Sequence, residues 1–194
     1  MTIYATAISE LDAFALGDAF RRRTLSPVEV TQDTLDRAEA SQSSINAFAL
    51  IDRERTLGWA RESEARWAKG EPLGPFDGVG VTVKDNMAVA GWPSMKGSKV
   101  VPTTPMAFDS PVAARCREAG LVILGLTTMP EFGWIGLSSS PLTGHTRNPW
   151  HSERTAGGSS SGAAAAAALG IGRFHLGSDG LGSIRIPAAF CGVA

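Results

Sequence analysis

Hydrophobic and polar positions change rhythm twice along the chain. In "SPVEVTQDTLDRAEA" the apolar residues Val28, Leu35 and Ala38 can share one face, while Asp33, Asp36 and Arg37 lie largely outside it. Ser26 is placed to cap that helix, with Pro27 at its first position and Glu29 completing a capping box. "RERTLGWARESEARWAKG" continues helically and stops at Gly70, so residues 1–70 read as a helical N-terminal arm packing on a core. After "EPLGPFDG" the valines of "VGVTVKDN" alternate in a strand rhythm, broken by Gly91 and Pro93. "SPVAARCREAG" reads as a helix between Ser110–Pro111 and Gly120, and "LVILG" follows at once as a short buried strand. A helix leading straight into an apolar strand implies parallel pairing with helices over the sheet. "NPWHSERTA" has no strand pattern. Six consecutive alanines after Gly162 predict a further helix, and "RFHLGS" a strand entering the turn 180–183. The expected fold is α/β, a mixed and largely parallel sheet flanked by helices, with residues 71–194 forming the second unit.

Composition narrows the class without naming a function. The 194 residues are 43% hydrophobic and 19% charged, ordinary for a globular chain. A formal net charge of −1 gives no electrostatic ground for nucleic acid or an anionic membrane, and Arg21, Arg22 and Arg23 read as a solvated helix end. Cys116 and Cys191 sit among apolar neighbours and fit two buried thiols in a reducing compartment. "MTIYATAISELDAF" lacks the basic start and long apolar core of a signal peptide. "GAAAAAALGIG" is too short to span a bilayer, so a cytoplasmic protein is expected.

Three segments carry candidate chemistry. Of the four lysines only Lys84 ends an apolar strand, where burial would depress its pKa and let it act as a general base. The plain alternative is a strand-end lysine paired with Asp85. "TAGGSSSG" could be a flexible linker, but the alanine helix behind it puts its serines at a helix N-terminus. It is not a phosphate loop, because no Gly-Lys-Ser/Thr follows. Ser160 stands in a G-x-S-x-G pattern, yet all three histidines precede Asp179, so a Ser–Asp–His order cannot be completed. No serine stands three residues before any lysine. In "SDGLGSIRIPA" successive amides of a tight turn can converge on a developing oxyanion, with Ser183 placed to attack.

Taken together and in this order, Lys84, "GGSSSG" and "DGLGSIRIPA" resemble the amidase signature family, as do "GVTVKDN", "REAGLVILGLTTMPEF" and "TRNPW". The resemblance covers roughly residues 75–194 and implies a large mixed sheet bearing a Ser–Ser–Lys triad, with no metal or cofactor. It makes Ser183 the nucleophile that forms an acyl-enzyme from an amide, and Ser159 the bridging serine, in a cis peptide after Gly158. Lys84, neutral at rest, takes a proton through Ser159. The amides of Gly180, Leu181, Gly182 and Ser183 would hold the oxyanion, and Asp179 with Arg185 would brace the turn. The implied partner is a small-molecule amide, with neither nucleic acid nor membrane expected.

The chain also departs from the family pattern. Ser161 stands where a glycine is usual, Ala156 where a proline is, and Leu181 where a third glycine is. At Leu181 a positive φ would strain the turn, and a side chain entering the pocket would narrow or block it. Family members are more than twice as long, and "AAFCGVA" is apolar to its end, so the chain reads as the N-terminal portion of an amidase. Three readings follow: an amide hydrolase, a non-catalytic fragment or partner-dependent chain completed by a C-terminal half or another copy, and the amidotransferase component that works on charged tRNA. The last usually has glutamine where Ile186 stands. Trp134 and Leu137 could reach the site, with core packing the plainer role for each.

Overall fold

The computed structural model describes residues 8–194. The N-terminal helices form where the capping chemistry puts them. α1 (Ala13–Arg22) is capped by the Asp12 carboxylate and ends in the exposed arginines. α2 (Pro27–Ile45) has the full capping box, Ser26 with the Glu29 N–H and Glu29 with the Ser26 N–H. Its buried face carries Val30, Leu35 and Ala38, whereas Val28 is only half-buried. α3 (Arg53–Lys69) closes on Gly70 in the left-handed region.

Between α2 and α3 the chain departs from the all-helical expectation. β1 (Phe48–Leu50) pairs antiparallel with β3 (Val122–Thr127), so the first seventy residues contribute a strand to the sheet. Three residues are too few to display a period of two, which is why the pattern hid it. β2 (Gly80–Lys84) lies parallel to β3 on one side and to β8 (Phe174–Leu176) on the other, giving the order β1-β3-β2-β8. Helices α4 (Pro111–Glu118), α5 (Ser161–Ala168) and α6 (Arg185–Cys191) complete the set. The structure is therefore mixed α/β with a mainly parallel sheet flanked by helices.

Strand alternation divides β2 between two faces. Val81 and Val83 pack into an apolar cluster with Ala113, Cys116, Ile123 and Leu126. Thr82 and Lys84 face the other way, Thr82 to His175 and Lys84 to the start of α5. The alanines of α5 pack with Ala38, Ile45, Phe48, Ile171 and Cys191. Both cysteines are buried and unpaired. Arg66 of α3 reaches the fully buried Asp77 with two hydrogen bonds of 2.7 and 2.8 Å, tying the arm to the start of β2.

Two hairpins cross the surface, β4 (Ser139–Ser140) with β5 (Gly144–His145), and β6 (Arg147–Asn148) with β7 (His151–Thr155). The segment without a strand pattern is thus a strand after all. It is exposed along most of its length, so no apolar face was needed to form it. Among the described residues, no helix is long and apolar enough to cross a membrane.

Candidate active site

The parallel register delivers the site's residues to one end of the sheet. β2 ends at Lys84, β3 ends beside it at Thr127, and β8 runs on into the loop 177–184. The N-terminus of α5 docks on this end through Gly162. Its N–H donates to the Thr128 carbonyl at 3.1 Å, and a Cβ there would come within 2.1 Å of the Ala47 oxygen. Only glycine allows that approach.

Docking of α5 sets Ser159, Ser160 and Ser161 against the strand ends. The Gly158–Ser159 peptide bond is cis. Lys84 is fully buried, and its Nζ lies 2.7 Å from Ser159 Oγ, 3.0 Å from Ser160 Oγ and 3.0 Å from Ser178 Oγ. Ser160 stands at the N-cap of α5, yet its hydroxyl makes no capping bond and faces Lys84 instead. Burial pushes the Lys84 ammonium down to about 8, against a smaller upward pull from Asp179.

Asp85 does not pair with Lys84. Its buried carboxylate accepts the N–H groups of Met95 and Gly97, at 2.9 and 3.1 Å. Burial raises it to about 6, although these bonds favour the charged form.

Asp179 organises the turn beyond β8. It accepts from the backbone N–H groups of Gly182, Ile184 and Arg185 and from the Arg185 guanidinium at 2.9 and 3.0 Å. The Arg185 guanidinium, followed by these amides, holds its carboxyl well below the usual range. The Gly182 N–H, engaged by Asp179 at 2.7 Å, is thereby withdrawn from the four amides expected to face an oxyanion. The N–H groups of Gly180, Leu181 and Ser183 have no partner among the described residues. Gly182 takes the positive φ of the turn, +105°, while Leu181 does not adopt one and is 94% exposed. The leucine is therefore accommodated without backbone strain.

Ser183 shares with Ser159 a pocket of about 360 Å³, also lined by Asn86, Phe132, Trp134, Ser178, Leu181 and Ile186. Among the described residues no charged side chain lines it. The Ser183 carbonyl accepts the Ser160 N–H at 2.9 Å, but among the described residues its hydroxyl bonds to no side chain. The structure thus joins Lys84 to Ser159 directly and brings Ser183 to the same pocket without a bond between the two serines. Trp134 is 88% exposed on this pocket and Leu137 is exposed too, so neither is a core residue. A short 3₁₀ turn, Glu131–Gly133, with Phe132 at φ +52°, carries this segment out of the core. Sequence reasoning also missed Ser178 and Asn86, which hydrogen-bond each other at 3.0 Å beside Lys84. Their only sequence signal was position, directly after Lys84–Asp85 and directly before Asp179. Among the described residues no three His, Cys, Asp or Glu side chains cluster as a metal site.

Known proteins share this chain's sequence pattern and its fold. The family model described as Amidase matches residues 29–194. An acylamidase of Rhodococcus erythropolis is 42% identical over 183 residues, covering 94% of this chain and 38% of that protein. A glutamyl-tRNA(Gln) amidotransferase component from Carboxydothermus hydrogenoformans is 41% identical over the same coverage. The solved structure of a peptide amidase from Stenotrophomonas maltophilia superposes with a TM-score of 0.88 at 29% identity, over 94% of this chain and 39% of that one. The chain thus spans well under half the length of the relatives it matches.

Proposed function

Because this chain belongs to the Amidase family, we propose that it carries the reaction centre of an amide hydrolase working through Lys84, Ser159 and Ser183. Ser183 Oγ attacks the amide carbonyl while its proton passes to Ser159 Oγ, and the Ser159 proton passes to the neutral Lys84 Nζ. The oxyanion meets the unengaged N–H groups of Gly180, Leu181 and Ser183. Collapse breaks the C–N bond, and the proton returns through Ser159 to the departing nitrogen, leaving an acyl-Ser183 ester. Water then attacks the ester and releases a carboxylate. The observation that carries this reading is the fully buried Lys84 at 2.7 Å from Ser159, in a pocket that Ser183 also lines. Substrate entry must bring Ser183 Oγ onto Ser159, since catalytic hydrogen bonds often close only in the Michaelis complex. Asp179 and Arg185 act as the brace that presents the turn.

The pocket lining supports neutral amides bearing an apolar group, with Phe132, Trp134, Leu181 and Ile186 against the apolar part. The amidotransferase reading is favoured by the 41% identical relative. A glutamine substrate would bring an α-ammonium and a carboxylate, and among the described residues no charged side chain of this lining meets them. The rest of the relatives' length, on the same or another chain, would complete the pocket wall. The test is ammonia release from benzamide, acetamide and glutamine, by the chain alone and with the remaining length of the Rhodococcus acylamidase added. Hydrolysis of benzamide, abolished by Ser183→Ala and by Lys84→Met, is expected. Ammonia from glutamine alone would transfer the chain to the second reading, and no release under either condition would leave it a non-catalytic piece.

A further inference from the structure

Lys84 Nζ faces three serine hydroxyls, and a neutral amine cannot treat them alike. It has two N–H bonds and one lone pair. Its N–H bonds need acceptors, which the hydroxyls and the Ser178 carbonyl at 3.5 Å offer, and its lone pair can take one proton.

The surroundings of each hydroxyl decide which is which. Ser178 Oγ, 3.0 Å from Nζ, also accepts from Asn86 Nδ2 at 3.0 Å. The Ser178 carbonyl, which can only accept, lies 3.5 Å from Nζ on the same side, so Ser178 meets an N–H of Lys84. Ser160 Oγ, 3.0 Å from Nζ, lies 3.4 Å from the Ser178 N–H, and its own proton reaches the Ser178 carbonyl at 3.5 Å. It too is committed as an acceptor toward Lys84. Ser159 Oγ has Nζ at 2.7 Å as its one hydrogen-bond partner among the described residues. Its proton has no other acceptor among the described residues, and its contact with Nζ is the shortest of the three.

Resting on the reading above, we propose that Ser178, held by Asn86, and Ser160 are positioning residues that take the two N–H bonds of neutral Lys84 and so aim its lone pair at Ser159. Ser159 then gives its proton to that lone pair. The ammonium formed has three N–H bonds for the same three oxygens, so no group has to move when the proton arrives. Neither Ser178 nor Asn86 need touch the bond that breaks.

The proposal is tested on the protein labelled with ¹³Cε-lysine. It has four lysines, Lys69, Lys84, Lys96 and Lys99, and Lys84→Met assigns the resonance. Ser178→Ala removes an acceptor from the ammonium and should lower the Lys84 midpoint by about one pH unit, while Ser178→Thr, which keeps the hydroxyl, restores it. In the benzamide assay Ser178→Ala should lower kcat by about 10²-fold with KM nearly unchanged. An unmoved Lys84 midpoint in folded Ser178→Ala protein overturns the proposal whether or not the chain hydrolyses amides. A Lys84 midpoint near 10.4 in the unaltered protein would instead overturn the functional reading, so the two failures are distinct.

Discussion

At the scale of the residue, Lys84 sets the behaviour of the site. Its pKa is pushed down to about 8 in the folded chain, below the ordinary lysine value of about 10.4. The base form therefore dominates only above about pH 8, and kcat/KM should rise with pH through that value and then level off. Stability follows the same sign. The unfolded chain binds the proton more tightly, so stability rises between about pH 8 and 10.4 and is lower below that window. A shift of this size corresponds to about 3 kcal/mol. Urea unfolding at pH 7 and pH 10 should show this rise in the unaltered protein and a smaller one in Lys84→Met. Leu181 is a second lesson of this scale. The sequence raised a strained leucine in a glycine turn, but the positive φ falls on Gly182 and the leucine side chain is exposed on the pocket rim.

At the scale of the element, the start of α5 is where local rules yield to the site. Ser160 occupies the N-cap position but turns its hydroxyl to Lys84, and Ser161 Oγ is buried with no partner among the described residues. A serine at the N-cap would normally give its hydroxyl to the helix. What fixes α5 is its contact with the sheet at Gly162, where a Cβ would also fall 2.5 Å from the Thr128 N. Gly162→Ala should displace the helix and destabilise the fold by about 3 kcal/mol, read as a lowered urea midpoint. It should also loosen the hydrogen bonds of Lys84. Helices α1 to α5 and strands β2, β3 and β8 were legible because caps, valine alternation and an alanine run each leave a local pattern, whereas α6 has no side-chain cap to announce it. β1 and β7 were not. One is three residues long, and the other lies in a hairpin that buries almost nothing, so neither needs a hydrophobic period.

At the scale of the molecule, the parallel order β3-β2-β8 does what the local motifs cannot. It carries Lys84, Ser159, Ser178 and Ser183, 75 residues apart between Lys84 and Ser159 alone, to one end of one sheet. The sequence named Lys84, Ser159 and Ser183 through their motifs and order. It could not show that Asp85 serves the loop at Met95 and Gly97, nor that Asp179 takes the Gly182 amide, because both depend on chain segments meeting in space. The remaining length of the relatives is where substrate choice would be completed, but the reaction centre proposed here lies wholly within residues 84–183. Its nucleophile can therefore be sought directly. Incubation with a fluorophosphonate, which phosphonylates activated serines with loss of fluoride, followed by peptide mass spectrometry, should give one adduct, on Ser183, with a rate that rises through about pH 8 and is lost in Lys84→Met. An adduct on Ser159 or Ser160 instead, or labelling of Ser183 that is indifferent to Lys84, would contradict the account.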